Sequence, residues 1–217
     1  MDPDPDLEDK LRKAVALIER CQSPLGGWRY APNPDNQDLS VTVMQIVALR
    51  AANNAEIPVN PKVIDRAIAY VRRCAHPEGG YGYEGPAQGP QTTAAGILSL
   101  ELLGQVKDPN IPKSIAILRN YLRANNEEQW SSSGVQYFFY FHYYAMQAHY
   151  QFGGTAWNEW HPRIRDTMLA NQKEDGSWDI PPGTSEQNSV DANRIYSTAM
   201  ACLVLDIYLH FLPAYQR

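Results

Sequence analysis

The sequence predicts an all-α fold of about four helical hairpins, each with an inner and an outer helix, and three observations carry that prediction. Aligning the chain on the aromatic that follows a Gly-rich or polar turn brings Trp28, Tyr81, Trp130 and Trp178 into register, roughly fifty residues apart. Apolar residues recur at helical spacing, as in Leu11, Ala14, Val15 and Ile18 and again in Ile64, Ala67, Ile68 and Val71. No run shows the period-two alternation bounded by tight turns that marks a strand.

Each unit reads as an amphipathic stretch, an aromatic-bearing turn, a second apolar stretch and a Pro/Gly/Asn break. The first stretches are Leu11 to Arg20, Pro61 to Cys74, Pro112 to Arg123 and Arg163 to Asn171. Pro61 and Pro112 stand at first-turn positions, where a missing N–H costs nothing. Arg12, Lys13, Arg66, Arg72, Arg73, Arg119 and Arg123 lie on these stretches, which suits outer helices. The second stretches, Val41 to Leu49, Thr92 to Leu100 and Ser197 to Leu205, are apolar on more than one face, which suits a doubly covered inner position. Thr42, Thr93 and Thr198 are equivalent within them, and Tyr144 takes that place in the third unit. Trp157 and Trp160 read as part of a connection. Residues 1–9 read as a flexible tail and 10–217 as one domain. Hairpins of this size bury their faces only by stacking on neighbours, so the units should form a curved array or a ring.

A net charge of −5 with scattered basic residues gives no support to nucleic-acid or anionic-membrane binding. No apolar window reaches the length of a membrane span. The start, Met-Asp-Pro-Asp-Pro-Asp, is the opposite of an export signal's basic opening. As written the chain is expected to be soluble and cytoplasmic, or exported if a signal precedes it. Cys21, Cys74 and Cys202 lie far apart and are expected as buried, reduced thiols. His76, His142, His149, His161 and His210 offer no tight metal spacing, so neither metal nor cofactor is expected.

Two turns share a finer pattern: Gln22-Ser-Pro-Leu-Gly-Gly-Trp28 and Gln172-Lys-Glu-Asp-Gly-Ser-Trp178, with Gly26 and Gly176 at the same offset. Ala75 and Ala124 stand where the other units would carry the glutamine. These Gln-to-Trp turns resemble the QW motif of the prenyltransferase and squalene-oxidase repeat. Gly26-Gly27-Trp28-Arg29-Tyr30, Asp38 to Thr42, Tyr143 to Gly154 and Asp175 to Trp178 are similar to squalene-cyclase-like repeat proteins of bacteria. The resemblance runs from about residue 10 onward and implies an α/α toroid whose inner helices line a cavity. A full toroid of that superfamily has about six hairpins, so about four imply a partial one, its open edge covered by a second copy or by further repeats.

Gln22, Trp28, Gln172 and Trp178 read as structural staples: an amide satisfying backbone groups at the end of an outer helix, an indole covering the surface between hairpins. Candidate chemistry falls at the inner-helix starts. Counting back from the repeat threonines gives Asp38, Gly89, Tyr140 and Arg194. By resemblance Asp38 occupies the place of a cyclase's catalytic acid, although Leu39 and Ser40 replace the further carboxylates; the alternative is that Asp38 caps the inner helix. Zinc-dependent prenyl transfer lacks its Asp-x-Cys pair. The run Tyr137 to Tyr144 sets eight rings in a row, some of which must meet the cavity.

The remaining cavity candidates are Asp35, Thr42, Tyr83, Glu84, Thr93, Tyr137, Tyr140, Tyr144, Arg194 and Thr198. Three readings follow: a module binding an apolar ligand, such as an isoprenoid or lipid, or a protein partner; a terpene-cyclase-type enzyme; and a carbohydrate-active enzyme. The last would need Asp35, Asp38 and Glu84 to converge beside Trp28, Tyr30 and Tyr83.

Overall fold

The computed structural model describes residues 5–125, 130, 136–188 and 193–209, and among them every regular element is helical. The α-helices are α1 (Pro5–Arg20), α2 (Leu39–Asn54), α3 (Pro61–Arg73), α4 (Pro90–Leu102), α5 (Asn110–Asn125), α6 (Phe138–Phe152), α7 (Gly154–Ala170) and α8 (Asn193–Asp206). Short 3-10 turns follow at Ser185–Asn188 and Ile207–Leu209. Helices α2, α4, α6 and α8 pack on one another in chain order. Of the others, α1 lies on α2, α3 touches both α2 and α4, α5 lies on α4, and α7 lies on α6 and α5.

The sequence explains where these helices begin. Asp38, in extended backbone, accepts a hydrogen bond from the Val41 amide at 2.9 Å and starts α2. Asn60 accepts from Lys62 N at 3.0 Å, with Pro61 behind it, and starts α3. At α4, Gly89 and Pro90 do the same without a side-chain cap. Helix α6 has no cap of its own, since Tyr137 supplies none. The Glu186 carboxylate supplies it from the 3-10 turn, accepting from Phe139 N at 3.1 Å and Tyr140 N at 3.3 Å.

The inner helices carry the core. In α2, Leu39, Val43 and Ile46 are fully buried, and in α4 Ala94, Ala95, Ile97, Leu98 and Leu100 are too. Each fully buried Leu or Ile contributes about 1.5–3 kcal/mol over its exposed state. In α6, Phe138, Phe139 and Phe141 are buried, and His149 stacks on Trp160 at 3.9 Å. Burial pushes His149 down to about 3, against the lift from its bond to the Ala145 carbonyl, so the ring stays neutral at neutral pH.

Two boundaries and the burial of one cysteine differ from expectation. Helix α1 begins at Pro5 and takes in residues expected in a tail, because Asp6, Glu8 and Asp9 pair one turn ahead with Lys10, Arg12 and Lys13. Helix α7 begins at Gly154, so Trp157 and Trp160 are helical and not part of a connection. Pro162 lies inside that helix, held between the fully buried Trp160 and Ile164. Cys202 is exposed, while Cys21 and Cys74 are buried as expected; all three thiols are free.

Candidate functional site

The aromatic-bearing turns share one set of bonds. In the first, Ser23 N donates to Gly27 O and Gly26 N to Ser23 O, both at 2.9 Å; in the last, Lys173 N donates to Ser177 O and Gly176 N to Lys173 O, again at 2.9 Å. His76, Gly80 and Gly79 repeat the pattern in the second unit. The closing glycine has φ of 101° at Gly26, 97° at Gly79 and 84° at Gly176, a region that other residues rarely enter. Gln22 Nε2 donates to Gly26 O at 2.9 Å and Gln172 Nε2 to Gly176 O at 3.0 Å. Where Ala75 replaces the glutamine, Gln88 reaches back from further along and donates to Gly79 O at 2.9 Å. Both indoles donate to a carbonyl ten residues upstream at 2.7 Å, Trp28 to Ile18 and Trp178 to Met168.

The equivalent threonines complete the turns. Thr42 Oγ1 accepts from Trp28 N at 3.0 Å, Thr93 from Tyr81 N at 3.0 Å and Thr198 from Trp178 N at 3.1 Å. Three proposed cavity residues therefore hold the aromatic turns against the inner helices. The third turn, but for Trp130, falls outside the described residues; that ring packs edge-on to Phe138 and Phe139.

A cavity of about 400 Å³ lies over the N-terminal ends of α2, α4 and α6, lined by Tyr30, Tyr83, Tyr137 and Tyr140 with Ser40, Gln91, Thr92 and Gln136. The Tyr30 and Tyr83 hydroxyls meet at 3.2 Å, and Tyr140 donates to Ser40 O at 3.3 Å. The loop that carries Tyr83 is tied to α2 through Leu39 N, which donates to Tyr83 O at 2.8 Å. Burial, the Tyr30 hydrogen bond and the Asp38 charge push the Tyr83 phenol up, and burial with the same charge pushes Tyr140 up. Both phenols are therefore neutral donors at neutral pH. A second cavity, of about 280 Å³, lies at the other end of α2 among Leu49, Arg50, Val59, Ile64 and Leu102.

The carboxyls beside the tyrosine cavity are partly engaged. Asp38 is fully buried; its Oδ1 accepts from Ser40 Oγ at 2.6 Å and from Val41 N, and its Oδ2 stands 3.9 Å from Arg29 Nε. Arg29 also donates to Glu84 at 2.5 Å and lies over the Tyr83 ring, 5.8 Å from its centroid. Asp35 is exposed in the preceding loop. Tyr144 is buried beside the Tyr140 ring. Arg194 is exposed and pairs with Asp179 at 3.1 Å.

Of the expected cavity residues, Tyr83, Tyr137 and Tyr140 line this space, with Glu84 tied to it through Arg29. Ser40, Gln91, Thr92 and Gln136 were not foreseen. Glu186 was missed as well, and burial raises its carboxyl above the usual range despite the bonds from Phe139 and Tyr140. Tyr30 and Tyr83 did carry a signal, since each stands two residues past its turn aromatic. Among the described residues no cluster of His, Cys, Asp and Glu could hold a metal ion, and no helix is long and apolar enough to cross a membrane. No protein-family model matches the chain, and no curated protein is significantly similar to it.

Proposed function

We propose that this chain is a ligand-binding helical-repeat module of the squalene-cyclase-like type, and that the tyrosine-lined cavity takes a neutral small molecule with apolar faces and at least one hydroxyl oxygen, such as an isoprenoid alcohol. One observation carries the reading: four phenols and two amides converge on the cavity, while Asp38 Oδ1 holds the start of α2 and Glu84 pairs with Arg29. Ring faces provide apolar contact area, and the hydroxyls and amides can donate to a ligand oxygen. Among the described residues the charged groups nearest this space are Arg29, paired with Glu84 and 3.9 Å from Asp38, and none of the three lines it, which favours a ligand without a charge of its own. Protonating an alkene would require a free acid aimed into the cavity, whereas the buried Asp38 already holds the start of α2. The repeated turn bonds and the chain-order packing of α2, α4, α6 and α8 support the toroid-like arrangement.

A neutral sugar is the second reading, favoured by the pairing of Tyr rings with Gln91 and Gln136. Calorimetric titration with isoprenoid alcohols and with neutral oligosaccharides separates the two. Binding of the alcohols, weakened about tenfold or more by Tyr140→Ala, is the expected result. Binding of neither class, or binding indifferent to Tyr140, overturns the proposal.

A further inference from the structure

The two ends of the helical array present matching, uncovered faces. Relative to the repeat threonines, Leu39, Val43 and Ile46 of α2 and Ile195, Ala199 and Cys202 of α8 occupy the same positions. The first three are fully buried where α2 packs on α4; the second three are exposed, Ile195 at 77%. At the opposite end, Val63, Ala67 and Tyr70 of α3 are buried, while their register equivalents in α1, Lys10, Ala14 and Leu17, are exposed. In the inner layer Met44 of α2 is exposed where Ala95 of α4 is buried.

The polar contacts at the first joint give the register in atomic terms. Gln22 Oε1 accepts from Arg66 Nε at 2.8 Å, its Nε2 donates to Val63 O at 2.9 Å, and Arg73 donates to Leu25 O at 3.2 Å. In the last turn Gln172 and Asp175 stand where Gln22 and Leu25 stand in the first; in α1 Lys13 and Arg20 stand where Arg66 and Arg73 stand in α3. A cation at position 20 would thus meet a carboxylate at 175, and Lys13 would meet the exposed amide of Gln172. The competitors are exposed and weak: Asp9 now holds Lys13, and Arg194 stands 3.8 Å from Asp175.

We propose that the α7–α8 end of one copy receives the α1–α2 end of a second copy, head to tail, in the register that joins the first and second units. The occupant is a second copy because both halves of the joint, apolar stripe and opposite charges, are carried on this one chain. The contact is heterologous, so copies close into a ring or extend as a chain.

Sedimentation velocity across rising protein concentration tests this, read together with the alkylation rate of Cys202. The expected result is a mass that climbs with concentration while Cys202 alkylation slows and the buried Cys21 and Cys74 stay protected. Ile195→Asp should weaken association about tenfold or more. Arg20→Glu and Asp175→Arg should each weaken it about three- to tenfold, and the double variant should recover it. A monomer at every concentration, with Cys202 modified at a constant rate, overturns the proposal. Constant protection of Cys202 in a monomer overturns it too, since the face is then covered without a second copy. Association indifferent to the charge variants overturns the register.

Discussion

The first and last Gln-to-Trp turns have the same internal bonds and opposite surroundings. Gln22 is buried and reaches across to α3, bonding Val63 O and Arg66; Gln172 is exposed, and its side-chain amide bonds Gly176 O within its own turn. A Cβ added at Gly26 would stand 2.1 Å from the Arg66 carbonyl oxygen, whereas at Gly176 nothing lies nearer than the Gln172 amide at 3.9 Å. The bonding of the turn is therefore local, and its shelter comes from α3, the first helix of the next unit. In the last unit, where among the described residues no helix stands as α3 stands to the first turn, the turn recruits charge: Lys173 and Arg194 both bond Asp179, and Asp175 accepts from Ser177.

The largest test of that contrast is the glycine pair. Gly26→Ala combines the left-handed φ with a clash against helix backbone and should cost more than about 3 kcal/mol in urea unfolding. Gly176→Ala carries the φ strain alone and should cost about 1–2 kcal/mol. Equal losses would show that the neighbouring helix adds nothing. The glutamine pair is next: Gln22→Ala leaves two carbonyls and Arg66 without their partner and should cost about 2–3 kcal/mol, against less than about 0.5 kcal/mol for Gln172→Ala.

The smallest effect is confined to the last turn. Hydrogen bonds from Ser177 hold Asp175 below its ordinary range, and the bond from Lys173 does the same for Asp179. A depressed carboxylate stabilises above its unfolded value of 3.8 and loses that contribution as pH falls through the lower folded value. Amide exchange at Gly176 and Ser177 should therefore quicken below about pH 4, or in high salt, before exchange at Gly26 and Gly27 does. Simultaneous loosening of both turns would break the contrast.

Much of this architecture is legible residue by residue. The helical period, Asn60-Pro61 and the closing glycines Gly26, Gly79 and Gly176 are local signals, and each appears where its chemistry requires it. Asp38 was legible as a cap because its partner amide is three residues away. The threonines were legible as equivalents but not in role, because their acceptor geometry depends on how each turn folds over its inner helix. Gln88 replacing a glutamine missing at position 75, and Glu186 capping a helix 46 residues earlier, follow no sequence period.

The sequence by itself determined the helical class, the recurrence of the turns and the local caps, since these rest on interactions within a few residues. Tertiary structure alone decided which turn is sheltered, which four tyrosines share a cavity and which stripe of α8 stays bare. Those depend on how far each helical pair rotates against the next, a sum of side-chain packing across the whole array that no single stretch of chain contains.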